Sequence, residues 1–217
     1  MAYFAVIGLG RFGTTTSREL MHLGNEVLGI DTDPRAIEPL ADRLTHTVIA
    51  DATDERALKE LNLQSCDGIV VAIGEDLRAS LLCTLNLINM GITSVWVKAG
   101  DSSHHAILSK LGVKNIVHPE EEMGIRVAQS LNYPMVNSYI GLGHYTFLVD
   151  VHFTGAVTNK TLASITKRAK DEVRVVLIKR DSHIEYSPAP DFVLEYGDHM
   201  VLVGTREALT KLSPVLK

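Results

Sequence analysis

Over the first ~135 residues, short apolar runs alternate with longer stretches in which apolar residues recur every three or four positions. The runs are YFAVIG (3–8), EVLGID (26–31), HTVIA (46–50), GIVVAI (68–73), SVWVKA (94–99) and NIVH (115–118). Each has the length of a strand. Between them lie TSRELMHLG, PRAIEPLADRL, DERALKELNL, EDLRASLLCTLNLINMG and SHHAILSKLG, whose spacing predicts helices. Several of these close on glycine, the residue a helix C-cap favours because it adopts positive φ without strain. IVVAI shows no alternation, as expected of a strand buried on both faces. Strand, helix, strand repeated in this way predicts an α/β domain built on a doubly wound parallel sheet of Rossmann type.

The rhythm then changes. PEEEMGIRVAQSL (119–131) is one more helix, and NYP (132–134) ends it. The remainder of the chain is rich in strands: NSYIGLG, YTFLVDVHF, a helix TLASITKRAK, then EVRVVLIKR, HIEYS and HMVLVG. This predicts a smaller α+β unit. The boundary is expected between 134 and 135, with residues 119–131 as a linking helix that belongs to the first unit. Charge divides at the same place. Residues 1–134 carry 11 basic and 17 acidic side chains, whereas 135–217 carry 10 and 9.

The whole chain of 217 residues has 21 Lys and Arg against 26 Asp and Glu. That balance lacks the basic field of a nucleic-acid binder, so no nucleic-acid partner is expected. No apolar run reaches the length of a membrane span. The opening MAYFAVIGLG has no basic stretch and runs straight into a glycine loop, so a signal peptide is not expected. Cys66 and Cys83 have no metal-type spacing and read as buried thiols of a reducing compartment. A cytoplasmic protein is the expectation.

The chemistry begins at GLGRFG. Gly8, Gly10 and Gly13 follow a strand and open a helix, with Arg11 and Phe12 between the second and third glycines. The first glycine permits the tight turn, the second lets phosphate approach the backbone, and the third lets helix and strand pack closely. A helix N-terminus then presents free N–H groups and partial positive charge to an anion. Asp31 ends the second strand 18 residues past Gly13, where a carboxylate can accept hydrogen bonds from ribose hydroxyls. The same carboxylate would repel a 2′-phosphate, which argues against NADP. Asp33, before Pro34, either caps the next helix or reaches the ligand. Asp51, Ala52 and Thr53 either flank an adenine or, through Thr53 or the following Asp54, start a helix. Ala72, Ile73 and Gly74 end the fourth strand, on the edge of the sheet where such a cleft opens.

Catalytic sets are missing. None of the six tyrosines has a lysine four residues later, and neither H-E-x-x-H nor G-x-S-x-G occurs. His104 and His105 are adjacent, so on a helix they point about 100° apart. A solvated or capping role is expected of them. An NAD-dependent oxidoreductase or an NADH-sensing Rossmann protein is the alternative, and no DNA-reading element supports a repressor.

FAVIGLGRFG, GNEVLGID, VIADATDE, IVVAIG, VWVKA and HPEEEMGIRVA together resemble the N-terminal domain of RCK proteins, the regulators of potassium conductance. More closely they resemble the cytosolic regulatory subunits of bacterial Ktr potassium-uptake systems, of KtrA/TrkA type. SITKRAK and LIKRDSHIEYSPAPDFVLEYGDHMVLVG are similar to the C-terminal domain of the same subunits, so the likeness spans the chain. The resemblance implies a sensor rather than an enzyme. It implies homodimers that assemble into an octameric ring, lying at the inner face of the membrane beneath a potassium-translocating subunit. ATP or ADP would occupy the Rossmann cleft, with NAD or NADH accepted by many relatives, and ring shape would differ between the ATP and ADP states. Arg11 would reach the terminal phosphate held by the neighbouring subunit. Glu120 would share a cation (Mg2+, Ca2+ or Na+) with the phosphates, and Lys98, ending the fifth strand, would approach the cleft. In some relatives the C-terminal domain binds cyclic di-AMP, which here implies Ile165, Arg168, Val175 and Pro190. The chain reads RAKDE where those relatives carry an aromatic residue and glycine after RAK.

Overall fold

The computed structural model describes residues 1–132, 136–153, 158–169 and 172–216, with backbone alone at 137–139, 168 and 213–216. The chain divides into two compact units, residues 1–121 and 122–217.

The first unit contains β1 (Tyr3–Ile7), α1 (Arg11–His22), β2 (Glu26–Asp31), α2 (Pro34–Ile37), β3 (His46–Ile49), α3 (Glu55–Glu60), β4 (Gly68–Val71), α4 (Leu77–Asn89), β5 (Val95–Lys98), α5 (Ser102–Lys110) and β6 (Asn115–Val117). The strands form one parallel sheet in the order β3-β2-β1-β4-β5-β6. This is the doubly wound topology expected from the sequence. Its order reverses between β1 and β4, and ligands of such sheets bind at that switch point, outside the carboxyl ends of the strands.

Alternation along each strand feeds two cores. Ala5, Ile7, Ile69, Val71, Val95 and Val97 face one way, packed with Leu58, Cys83, Leu87 and Leu108 from the helices α3, α4 and α5. Val6 and Val27 face the other way, with Leu9, Ile37, Leu40 and Leu44. Trp96 alternates with Val95 and Val97 and is 46% exposed. Cys83 is buried as expected, and the apolar surroundings push its thiol up to about 12. Cys66 is only half-buried, because it lies in the turn before β4.

Three helices end as their glycines predict. After α1, α4 and α5, Gly24, Gly91 and Gly112 have φ of +81°, +80° and +88°. The next amides, of Asn25, Ile92 and Val113, return to the carbonyls of Leu20, Leu87 and Leu108. Other segments are shorter than expected. PRAIEPLADRL is α-helical only to Ile37 and continues as a 3-10 turn, Glu38–Leu40, because Pro39 has no N–H to donate and crowds the preceding turn. DERALKELNL stops at Glu60, and Asn62 takes a left-handed φ of 50° before a second 3-10 turn.

α6 (Pro119–Asn132) follows β6 and has no buried residue. Met123, Ile125, Val127 and Leu131 along it are 50–77% exposed. Among the described residues, no helix is long and apolar enough to cross a membrane.

The second unit contains β7 (Val136–Gly143), β8 (Thr146–His152), α7 (Leu162–Thr166), β9 (Val173–Arg180), β10 (His183–Tyr186), β11 (His199–Thr205) and α8 (Arg206–Leu216). Its antiparallel sheet runs β10-β9-β11-β8-β7. Val149, Val151, Ile178, Met200 and Leu202 pack against Leu162, Ile165, Ala208 and Leu212 of α7 and α8. TLASITKRAK is α-helical only over α7 and then turns 3-10 through Lys167–Ala169. α8 has no counterpart among the expected elements.

One ionic group ties this unit together. Asp198 is fully buried, and both its oxygens accept from Arg180, at 2.8 Å each. Arg180 also reaches Glu195 at 2.7 Å and the Val193 carbonyl at 2.9 Å, and its guanidinium lies over the Phe192 ring. Removing one partner of a buried pair leaves an uncompensated charge. Arg180→Ala should therefore destabilise the second unit by about 3–5 kcal/mol, read as an earlier denaturant midpoint for tryptophan-independent probes of β9 and β11. A change below about 1 kcal/mol would mean that Asp198 is solvated without it.

Candidate functional site

The turn from β1 to α1 is built by glycine. Gly8 has φ +92°, and a Cβ there would stand 3.0 Å from the Ala72 carbonyl carbon and the Ile73 nitrogen. A Cβ on Gly13 would fall 1.9 Å from the Gly8 carbonyl oxygen, so residue 13 tolerates no side chain. Gly10 differs: nothing lies within 4 Å of the place its Cβ would take. Gly10 is also the N-cap of α1 and has no side chain with which to cap it. Asp33, Asp54, Asp76, Asp101 and Thr161 each cap the helix they precede. The amides at the start of α1 are thus left for something else, and an anion suits them.

Asp31 binds the loop to the next strand. Its Oδ2 accepts the Leu9 amide at 2.6 Å, and its Oδ1 accepts the Asp33 amide at 2.9 Å. Each carboxylate oxygen retains capacity for a further donor. A ribose hydroxyl above the loop would supply one. Open space at Gly10, uncapped amides and a carboxylate at the end of β2 together fit a nucleotide.

Asp33 accepts the Arg35 amide at 2.9 Å and pairs with the Arg35 guanidinium at 3.0 Å; that hydrogen-bonded pairing holds its carboxyl below the usual range. Asp51 accepts both the amide and the hydroxyl of Thr53, at 2.9 and 2.7 Å, which also lowers it. The cap of α3 is Asp54, accepting from the Arg56 amide. Ala52 is buried, and the Thr53 carbonyl accepts from Asn86. Ala72 is buried, Ile73 half-buried and Gly74 exposed. Phe12 is half-buried against the α1–α2 core, and Arg11 is exposed at the first residue of α1.

Farther along the same edge, Lys98, Gly74 and Glu120 come together. The Lys98 ammonium bonds Glu120 Oε1 at 2.5 Å and lies 3.0 Å from where a Cβ on Gly74 would stand. The hydrogen bond from Lys98 holds the Glu120 carboxyl below the usual range. Among the described residues, no group of three or more His, Cys, Asp or Glu is gathered to hold a metal. A cation at Glu120 would take its other ligands from elsewhere.

The histidine expectation needs correction. His104 is buried, at 3% exposure. Its Nδ1 accepts the Gly100 amide at 3.2 Å while its own amide bonds Asp101, and burial lowers its pKa. It faces inward because position three of α5 points at the sheet. His105 is exposed, and its Nδ1 lies 2.8 Å from His118 Nε2.

In the second unit, Val175 and Pro190 line a surface cleft of about 280 Å3, together with Arg174 and Ser187. Ile165 does not line it; it is 0% exposed in the core. The side chains of Arg168 and Lys170 lie outside the described residues. Sequence reasoning missed Thr14, whose hydroxyl bonds the Leu9 carbonyl, and Gly100. Thr14, four residues after the Gly10 N-cap, was a readable signal; Gly100 carried none.

A Rossmann unit with an open, uncapped turn, followed by a small antiparallel unit, defines a two-domain protein whose first unit has a nucleotide-binding type of fold. The model of the TrkA-N domain matches residues 4–119, and that of the TrkA-C domain matches residues 147–217. The chain is similar to Ktr system potassium uptake protein A of Bacillus subtilis (strain 168), 38% identical over 208 residues, covering 96% of this chain and 94% of the relative. It is 35% identical to Ktr system potassium uptake protein A of Vibrio alginolyticus, covering 95% and 94%. Among solved structures, the GsuK channel bound to NAD shares the fold with a TM-score of 0.63 at 15% identity, covering 100% of this chain and 39% of the channel. The chain belongs to the Ktr family of RCK regulatory subunits.

Two outcomes test this geometry. Gly10→Ala should leave stability within about 1 kcal/mol of the parent, whereas Gly13→Ala should cost more than ~2 kcal/mol, because backbone must move; urea midpoints of the two variants decide. Lys98→Met should return Glu120 toward the ordinary carboxylate range, seen in the side-chain carboxyl carbon shift during an NMR titration. The sign follows from a lowered folded value: the pairing contributes above the ordinary carboxylate range and fades as pH falls through the lowered one.

Proposed function

We propose that this chain is the cytosolic, nucleotide-sensing regulatory subunit of a potassium transporter, and that it senses rather than catalyses. The observation that carries the reading is the uncapped, open start of α1 beside Asp31, in a chain related along almost its whole length to Ktr uptake proteins. Gly8, Gly10, Phe12 and Gly13 form the phosphate turn, Asp31 accepts from the ribose, and Asp33, Asp51, Ala52, Thr53, Ala72, Ile73 and Gly74 border the cleft.

ATP and ADP are the proposed ligands. Arg11 of one subunit takes the terminal phosphate held by its neighbour, since a guanidinium binds phosphate bidentately. A contact that exists only with the longer nucleotide gives the differential affinity that any conformational switch requires. Lys98 and Glu120 lie along the same sheet edge, where Glu120 accepts Mg2+, Ca2+ or Na+ shared with phosphate oxygens. The exposed apolar residues of α6 and the exposed Trp96 support a homodimer as the unit of a ring, with an octamer as its closed form. The ring's partner is a membrane potassium-translocating subunit of Ktr or Trk type, which keeps the chain peripheral at the inner face of the membrane. Cyclic di-AMP is a further ligand for the second unit; the cleft at Val175 and Pro190 supports it, whereas buried Ile165 would contribute only from beneath.

NAD or NADH is the second reading of the first cleft. It is favoured by the Asp31 carboxylate at the ribose position, and the GsuK channel, which shares the fold, is bound to NAD. Equilibrium binding of ATP, ADP and NADH, with and without divalent cation, separates the two. Expected is tight ATP and ADP binding with cation strengthening ATP alone; NADH binding far above both would overturn the switch. In the same assay Arg11→Ala should reduce the preference for ATP over ADP at least tenfold, about 1.4 kcal/mol, while ADP affinity stays within twofold.

A further inference from the structure

β6 is the outer strand of the parallel sheet, beyond β4 and β5 from the glycine turn at β1. Beside it the first unit brings two imidazoles together. His105 lies on α5, one residue past the buried His104, so it is turned to the outer surface and is exposed. His118 is half-buried and follows β6, immediately before Pro119 opens α6. His105 Nδ1 and His118 Nε2 are 2.8 Å apart. The ring centroids are 5.1 Å apart and the planes 20° from parallel. With the nitrogens so much closer than the centroids, the rings meet nitrogen to nitrogen and not face on face. Both nitrogens are aimed at the same place.

A neutral imidazole has one N–H and one lone pair, so one ring here donates and the other accepts. Such a bond contributes about 0.5–1.5 kcal/mol net, which holds the rings together only weakly. A metal ion in place of the shared hydrogen would take both lone pairs, the proton moving to the outer nitrogen of its own ring. Two Zn–N bonds of about 2.0–2.1 Å at a tetrahedral angle set the nitrogens roughly 3.3 Å apart. The pair is closer than that by about half an ångström, a distance the exposed His105 side chain can swing through. Water completes the coordination. Donor type selects the ion: imidazole suits zinc, nickel and copper, whereas Mg2+ and Ca2+ require oxygen ligands. His104 is not a third ligand, because it is buried and its Nδ1 accepts the Gly100 amide.

We propose that His105 and His118 form a two-histidine site for a late first-row divalent ion, of the zinc, nickel or copper class. Bound there, the ion ties α5 to the residue that precedes α6, the helix on which the chain passes out of the first unit. The site is chemically distinct from Glu120, an oxygen donor that Lys98 engages, and it requires no nucleotide.

Calorimetric titration of the untagged full chain, free of nucleotide, with Zn2+ and with Cu2+ tests it. Expected is one strongest site per chain, tighter for Cu2+ than for Zn2+ and undisturbed by about a hundredfold excess of Mg2+. His105→Gln, a change on the exposed surface, should weaken Zn2+ binding by about tenfold or more, and His118→Gln should do the same. In NMR spectra, Cu2+ should broaden the signals of residues around 105 and 118 before any others. Absence of a saturable Zn2+ site, displacement of Zn2+ by Mg2+, or a His105→Gln affinity within about twofold of the parent overturns the proposal. Should His118→Gln fail to fold, the His105→Gln titration and the Cu2+ broadening decide it.

Discussion

The contact between residue 13 and the Gly8 carbonyl governs the first unit. A methyl group at residue 13 would collide with that oxygen, so α1 can start where it does only if its third residue is glycine. That close approach brings the uncapped N-terminus of α1 over the carboxyl end of β1, beside the point where strand order reverses. Everything proposed for the cleft depends on this position. The amides at the start of α1 are free because Gly10 cannot cap them. Asp31 then fixes the loop from the next strand, accepting the Leu9 amide.

The fold was legible where periodicity is strong and both faces of a strand are buried. All six strands of the parallel sheet come from apolar runs separated by helical spacing, with glycine marking three helix ends, whereas their order was read only from the structure. Legibility failed where local chemistry overrides period. Pro39 cut α2 into a 3-10 turn, and Asn62 did the same after α3 by taking a left-handed conformation. α8 was not among the expected elements, although Ala208 and Leu212 at four-residue spacing are both core.

The site was half legible. Glycine positions encode backbone geometry and can be read directly, as can an aspartate at a strand end. Side-chain pairings across the sheet edge cannot. Nothing in the sequence joins Lys98 to Glu120, 22 residues apart, or buries His104 while leaving His105 exposed. Those facts depend on how the ends of β5, α5 and β6 meet, which is settled by packing rather than by local pattern. The same holds for Ile165: its motif points to a ligand surface, but its helix turns it into the core.

The Lys98–Glu120 pair constrains how nucleotide and cation can act under the proposed reading. In the ligand-free chain each charge answers the other, and Lys98 is only 13% exposed on its side chain while Glu120 is 71% exposed. The lysine is therefore the held partner and the glutamate the movable one. The Lys98 ammonium has three donors, so it can meet a phosphate while keeping Glu120, and a cation beside Glu120 would offset carboxylate and phosphate together. Under the proposed reading a cation and a polyphosphate would each offset the other's charge, and any strengthening of one by the other would hold by the same factor in both directions. Under that reading the pair at the start of α6 adds to the discrimination proposed for Arg11 rather than replacing it.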